Sequence, residues 1–172
     1  GIVFFFFFSY PERENDGYFQ RIKAIDSLFV DRWRIYIEDA TNSTDHKLYD
    51  RPAHNTIVIR MAGSKKRQLV IKCIVFLLVL KCRAIYYHSV LRMQDTKNWL
   101  FMLLPSFVKK VIDIHGVVPE EFRYHDDFYS AVLFEKHEQL AVKKANIVIT
   151  VTNSMQRYFQ QKYRENIKGR MI

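Results

Sequence analysis

The sequence predicts an α/β fold, a Rossmann-like three-layer sandwich with a mostly parallel sheet. Three observations point to it. Short runs of β-branched and aromatic residues alternate with longer stretches of helical period, as βαβ units require. The first run, "IVFFFFFS" (2 to 9), is apolar on both faces, as a strand covered on both sides must be. The 172 residues hold only five glycines and four prolines, and no repeat or low-complexity linker interrupts them, so residues 1–172 read as a single Rossmann-like domain with a sizeable core.

Each element follows from period and punctuation. After the loop "YPERENDG", Phe19, Ile22, Ile25, Leu28 and Phe29 fall at three- and four-residue steps and predict a helix from about Tyr18. "WRIYIED" (33 to 39) alternates and reads as a strand near the edge, and "NTIVIRM" (55 to 61) as another short strand. Residues 65 to 82 form an apolar helix, whose run "LVIKCIVFLLVL" (69 to 80) is too short to span a bilayer comfortably and carries Lys72 within it. "RAIYYHSVL" (83 to 91) is a strand, "TKNWLFML" (96 to 103) a helix stopped before Pro105, and "KKVIDIHG" (109 to 116) the next strand. Asp126 and Asp127 open a long helix that ends near Ala145, with Lys143 and Lys144 suited to its last turn. "NIVITVT" (146 to 152) is a strand, and Asn153 or Ser154 caps the closing helix.

Charge and thiols narrow the function classes. Lys and Arg number 27 against 18 acids, a formal charge of +9, which favours anionic partners without choosing among them. Cys73 and Cys82 lack CxxC spacing and read as buried thiols of a reducing cytosol. "GIVFFFFFSY" lacks a basic leader and a small-residue cleavage site, so it reads as a strand rather than a signal peptide. There is no GxGxxG after the first strand and no GxxxxGK[ST], which removes most of the weight from dinucleotide dehydrogenases and P-loop enzymes.

In an open parallel sheet the carboxyl ends of all strands share one edge, and ligands bind just outside it. The predicted ends are Ser9-Tyr10, His88-Ser89, His115-Gly116 and Thr152-Asn153-Ser154. Polar side chains therefore gather where the apolar runs stop. Gly17 would let a ligand approach the first helix, or it is an ordinary helix-start turn, and Gly116 would permit a sharp exit from its strand. Asp113 alternates with His115 on one face, where it either orients the imidazole or is satisfied by a backbone N–H. His88 is either a ligand contact or filler of the sheet face. Glu120 and Glu121 read as a solvated loop, and His125, Asp126 and Asp127 as helix capping rather than a metal site. Basic residues in 65 to 72 and 157 to 170 are solvated faces or, alternatively, an anion-binding surface.

"SYPERENDGYFQRI" after the first strand, "YYHS", "DIHG" and the closing "EQLAVKKANIVITVTNSMQRYF" together resemble the amino-terminal domain of family 4 glycosyltransferases, two-domain enzymes of the GT-B fold. The family's final pattern has an Ala-Asp pair, an apolar strand and a serine; here Ala145 and Asn146 stand at the pair and Thr152 at the serine, so Asn146 is a departure. The resemblance implies an acceptor-binding domain in a nucleotide-sugar-dependent, hexosyl-type transferase with a retaining outcome. It implies a catalytic role for His115 beside the reacting sugar. Asp16 and Gly17 would border the donor diphosphate, and His88 and Ser89 would line the acceptor side. Asp113, Gly116 and Asn153 complete the expected substrate-binding set on the same edge.

The expectation is thus a glycosyltransferase domain for polysaccharide or glycolipid synthesis. It would use no cofactor or metal and bind no nucleic acid. Its partners would be a nucleotide-sugar donor and a carbohydrate or lipid-linked acceptor, with an anionic membrane surface as a further one. The carboxyl-terminal donor domain, with its Glu-x7-Glu pattern, is not in this sequence, so the chain alone is expected to be inactive. A cytoplasmic protein, peripheral on the inner face of the plasma membrane, fits the charge and the apolar 69 to 80 segment. The rivals are a non-catalytic flavodoxin-like or nucleic-acid-binding α/β module, and a nucleotide-dependent enzyme complete in one domain, which would need a phosphate loop that is missing.

Overall fold

The structure, a computed structural model, describes residues 3–6, 17–39, 47–89, 103–164, 167 and 170–172. The first strand beyond Phe6, Asp16, the last residues of the strand expected at 83 to 91, and residues 96–102 of the helix expected before Pro105 lie outside the described residues. Where the sequence reads as one domain, the chain divides into two units, Gly1–Ile85 and Tyr86–Ile172. The class is the α/β, Rossmann-like one that the alternation predicts, with a mostly parallel sheet.

In the first unit, β1 (Val3–Phe6) pairs in parallel with β2 (Trp33–Asp39), and β2 in parallel with β4 (Thr56–Met61). A two-residue strand, β3 (Tyr49–Asp50), adds antiparallel to β4, giving the order β3-β4-β2-β1. β2 is therefore interior, not near an edge. Its arginine misleads: Arg34 is buried, yet it donates to Phe29 O at 2.6 Å and Thr56 Oγ1 at 2.6 Å and pairs with Asp26 at 2.8 Å. A buried cation with these partners is compatible with a core strand.

Helix α1 (Gly17–Ser27) buries Ile22, but it stops at Ser27, so Leu28 lies beyond it and exposed. Helix α2 (Lys65–Val79) starts at Ser64, whose hydroxyl accepts from the Arg67 N–H, and buries Ile71, Val75 and Val79. Cys82 is buried, which pushes its thiol up to about 12, whereas Cys73 is exposed and corrects the expectation of two buried thiols. Among the described residues no helix is long and apolar enough to cross a membrane.

The second unit takes in the end of β5 (Ala84–Tyr87), then β6 (Lys109–Ile114), β7 (Ile147–Thr150) and β8 (Arg170–Met171), in that order across the sheet. β6, β7 and β8 are parallel, with Val111 beside Ile147 and Ile114 beside Thr150. Asn146 fixes this register: its Oδ1 accepts from the Lys110 N–H at 2.9 Å while its own N–H donates to Lys110 O at 2.8 Å. The amide oxygen supplies the acceptor that an aspartate would at this position.

Helix α3 (Val118–Tyr124) occupies what the sequence suggests is a loop. Pro119 suits its first turn, and Glu120 and Glu121 complement the dipole there. Helix α4 (Phe128–Lys144) is capped by Asp127, whose carboxylate accepts from the Ser130 N–H at 3.0 Å. Helix α5 (Asn153–Lys162) is capped by Thr152, not by Asn153 or Ser154.

A polar cluster ties these three helices. Lys162 donates to Glu120 and Glu138, each at 2.9 Å; Tyr163 donates to Glu138 at 2.6 Å, Tyr158 to Glu120, and Arg123 pairs with Glu135 at 2.6 Å. Burial acts to raise the Glu120 pKa, but hydrogen bonds from Tyr158 and Lys162 outweigh it and leave the group below its ordinary value. At fully buried Glu138 burial wins, and its pKa is raised. A carboxyl raised in the fold contributes stability that is whole below the unfolded pKa and is lost as pH rises through the folded one. Replacing Glu138 by glutamine fixes the neutral form. The melting temperature of Glu138→Gln relative to wild type should therefore climb between about pH 4 and about pH 8. Thermal melts across that range check it, and a relative fall would contradict the assignment.

Candidate functional site

Tyr86 and Asp113 lie two residues before His88 and His115, so strand alternation turns each pair to one side. The four meet in the second unit, where β5 and β6 end. The Tyr86 hydroxyl donates to Asp113 Oδ2 at 2.7 Å, and His115 Nε2 stands 3.4 Å and His88 Nδ1 3.7 Å from the same oxygen. The imidazoles meet edge to face with centroids 5.6 Å apart, and the rings of Tyr86 and His88 are 4.8 Å apart.

Burial separates the roles. His88 and Asp113 are fully buried, and the His115 side chain keeps 22% of its area exposed. His115 is thus the member of the cluster that faces outward, with Asp113 behind it. A carboxylate within this distance of an imidazole can orient the ring. One donor atom each from His88, Asp113 and His115 falls within 4.8 Å of the others, close enough for one cation to touch all three. The Asp113 oxygen they share already accepts from Tyr86, so the geometry equally serves a hydrogen-bonded cluster.

The remaining expected residues fall as follows. Ser89 follows His88 and is buried. Gly116 follows His115 without positive φ, so no unusual backbone demands glycine. A Cβ there would stand 2.5 Å from Glu121 Oε1, and the missing side chain instead leaves room for that carboxylate at the head of α3. Asn153 opens α5 as an exposed residue just past β7, whose carboxyl end lies beside that of β6. Gly17 begins α1 in the first unit, and among the described residues no atom comes within 4 Å of where its Cβ would stand. Asp126 adopts φ 58° in the turn before α4, and the Asp127 carboxylate is used in capping.

Sequence reasoning missed Tyr86 and Glu121. The two-residue step from Tyr86 to His88, repeated from Asp113 to His115, is a signal that could have found the first. Glu121 gives no comparable signal, because its position depends on a helix the sequence conceals.

No family model matches this chain, and no curated protein does. Among solved structures the fold is similar to that of a sucrose-phosphate synthase from Thermosynechococcus elongatus. The TM-score is 0.52 over 98% of this chain and 85% of that one, at 11% identity. The likeness is one of fold.

Asp113 is buried against the Tyr86 hydroxyl, so removing that donor takes a hydrogen bond from a buried acceptor. Tyr86→Phe should lower unfolding stability by about 1–3 kcal/mol in urea titrations. An unchanged midpoint would show that the hydroxyl does not support the carboxylate.

Proposed function

We propose that this chain is the acceptor-side domain of a GT-B glycosyltransferase that moves a sugar from a nucleotide-sugar to a carbohydrate or lipid-linked acceptor, in making a polysaccharide or glycolipid. The observation that carries the reading is the cluster of His88, Asp113 and His115 at adjoining strand ends, in a fold shared with a sucrose-phosphate synthase. Residues from separate strands meeting at a sheet edge are how open α/β proteins build ligand sites.

Loss of a nucleoside diphosphate leaves an oxocarbenium-like sugar, so the site must hold the sugar hydroxyls while charge moves from ring to leaving group. In this reading His115 hydrogen-bonds a hydroxyl of the reacting sugar. Asp113 sets the angle of the ring. His88, buried behind, limits the ring's movement through their edge-to-face contact. Ser89, Gly116 and Asn153 belong to the acceptor side, and a separate donor domain grips the nucleotide. Closure of the two domains would expel water and align the acceptor hydroxyl.

The test is nucleoside-diphosphate release from a panel of nucleotide-sugars by the protein carrying both domains. His115→Ala should lower kcat by about 10²–10³-fold, as loss of one preorganised donor does, with KM little changed. Turnover that survives the substitution removes the assignment of His115. Failure of every nucleotide-sugar to react removes the transferase reading.

A further inference from the structure

Helix α2 buries one face, Ile71, Val75 and Val79, and leaves a second apolar face in water. Leu69, Val70, Ile74 and Leu77 are 62%, 58%, 40% and 61% exposed. With exposed Cys73 they follow the one-, four-, five- and eight-residue steps of a single helix stripe. A soluble surface rarely leaves such a stripe uncovered.

The charges beside it are of one sign. Lys65, Lys66 and Arg67 fill the first turn, where the helix dipole already places partial positive charge, and no acid stands there to offset them. Lys66 precedes Leu69 and Val70 by three and four residues, so it shares the stripe's face, and Lys81 and Arg83 lie exposed past the other end. Cations set against the dipole weaken an isolated helix, and an anionic partner reverses that cost. Beside the helix, a groove of about 340 Å³ is lined by residues that include Ile57, Ile74 and Leu78, with Trp33, Tyr49 and Arg51. Arg51 lies over the Trp33 ring at 5.2 Å. Amphipathic aromatics with a cation, next to apolar area, suit the boundary between headgroups and acyl chains.

We propose that the outward face of α2, from Lys65 to Leu77, docks on an anionic lipid surface, with Leu69, Val70, Ile74 and Leu77 entering the acyl boundary and Lys65, Lys66 and Arg67 meeting lipid phosphates. The apolar stripe supplies insertion and the basic first turn selects anionic lipid. The proposal concerns the first unit alone and stands apart from the transferase reading.

The test is co-sedimentation of the full chain with phosphatidylcholine vesicles, with and without phosphatidylglycerol. Binding should require phosphatidylglycerol and weaken as salt is raised. Leu69→Gln with Leu77→Gln should lower it at least about tenfold, since two inserted leucines are lost. Lys65→Glu with Lys66→Glu should lower it at least about tenfold too, while its melting temperature does not fall, because acids suit a first helical turn. Equal binding to neutral vesicles, or undiminished binding by either variant, overturns the proposal. So does a chain that ignores vesicles, whether monomeric or a dimer that the leucine variant dissolves by light scattering; the latter result would assign the face to a second copy.

Discussion

Asp113 is a carboxylate withdrawn entirely from water, and the second unit is arranged around keeping it there. Such burial costs several kcal/mol unless donors replace the lost hydration. The Tyr86 hydroxyl supplies one at 2.7 Å, and two imidazoles turn toward the same oxygen. The requirement holds the end of β5 to the end of β6 and turns the outermost ring, His115, toward the sheet edge. Stability and site geometry therefore rest on the same atoms.

The other polar cluster in this unit does different work. Glu120, Glu138, Lys162, Tyr158 and Tyr163 join helices α3, α4 and α5 through direct side-chain hydrogen bonds. Opposite charges largely satisfy one another there, with Glu138 raised by burial and Glu120 lowered by the hydrogen bonds it accepts from Tyr158 and Lys162. It fixes the helices that follow β6 and precede β7, including the short helix whose Glu121 reaches over Gly116. The edge is thus supported from behind by a charge network and from within by the Asp113 cluster.

Much of this was legible in the sequence where period and caps agree. "WRIYIED" gives β2 to the residue, and Asp127 with Lys143 and Lys144 brackets α4 closely. What was hidden has physical causes. β3 and β8 have two residues each, too few for alternation, and exist through pairing with β4 and β7. Helix α3 hides behind Pro119, which reads as a breaker although the first turn of a helix accepts it. β2 looked peripheral because its sequence alternates, and only Asp26, Thr56 and Phe29 reveal how Arg34 is buried within it. In the site, alternation in "DIHG" gave Asp113 and His115, but the partnership with Tyr86 and His88 is long-range.

Under the proposed transferase reading, Asp113 acts through His115 rather than beside it. A double-mutant cycle on kcat/KM, in the protein carrying both domains, measures that coupling directly. With Asp113→Asn and His115→Ala, the account predicts a double variant no slower than His115→Ala alone. Losses that simply add would mean that the carboxylate and the imidazole serve separate purposes, and would contradict it.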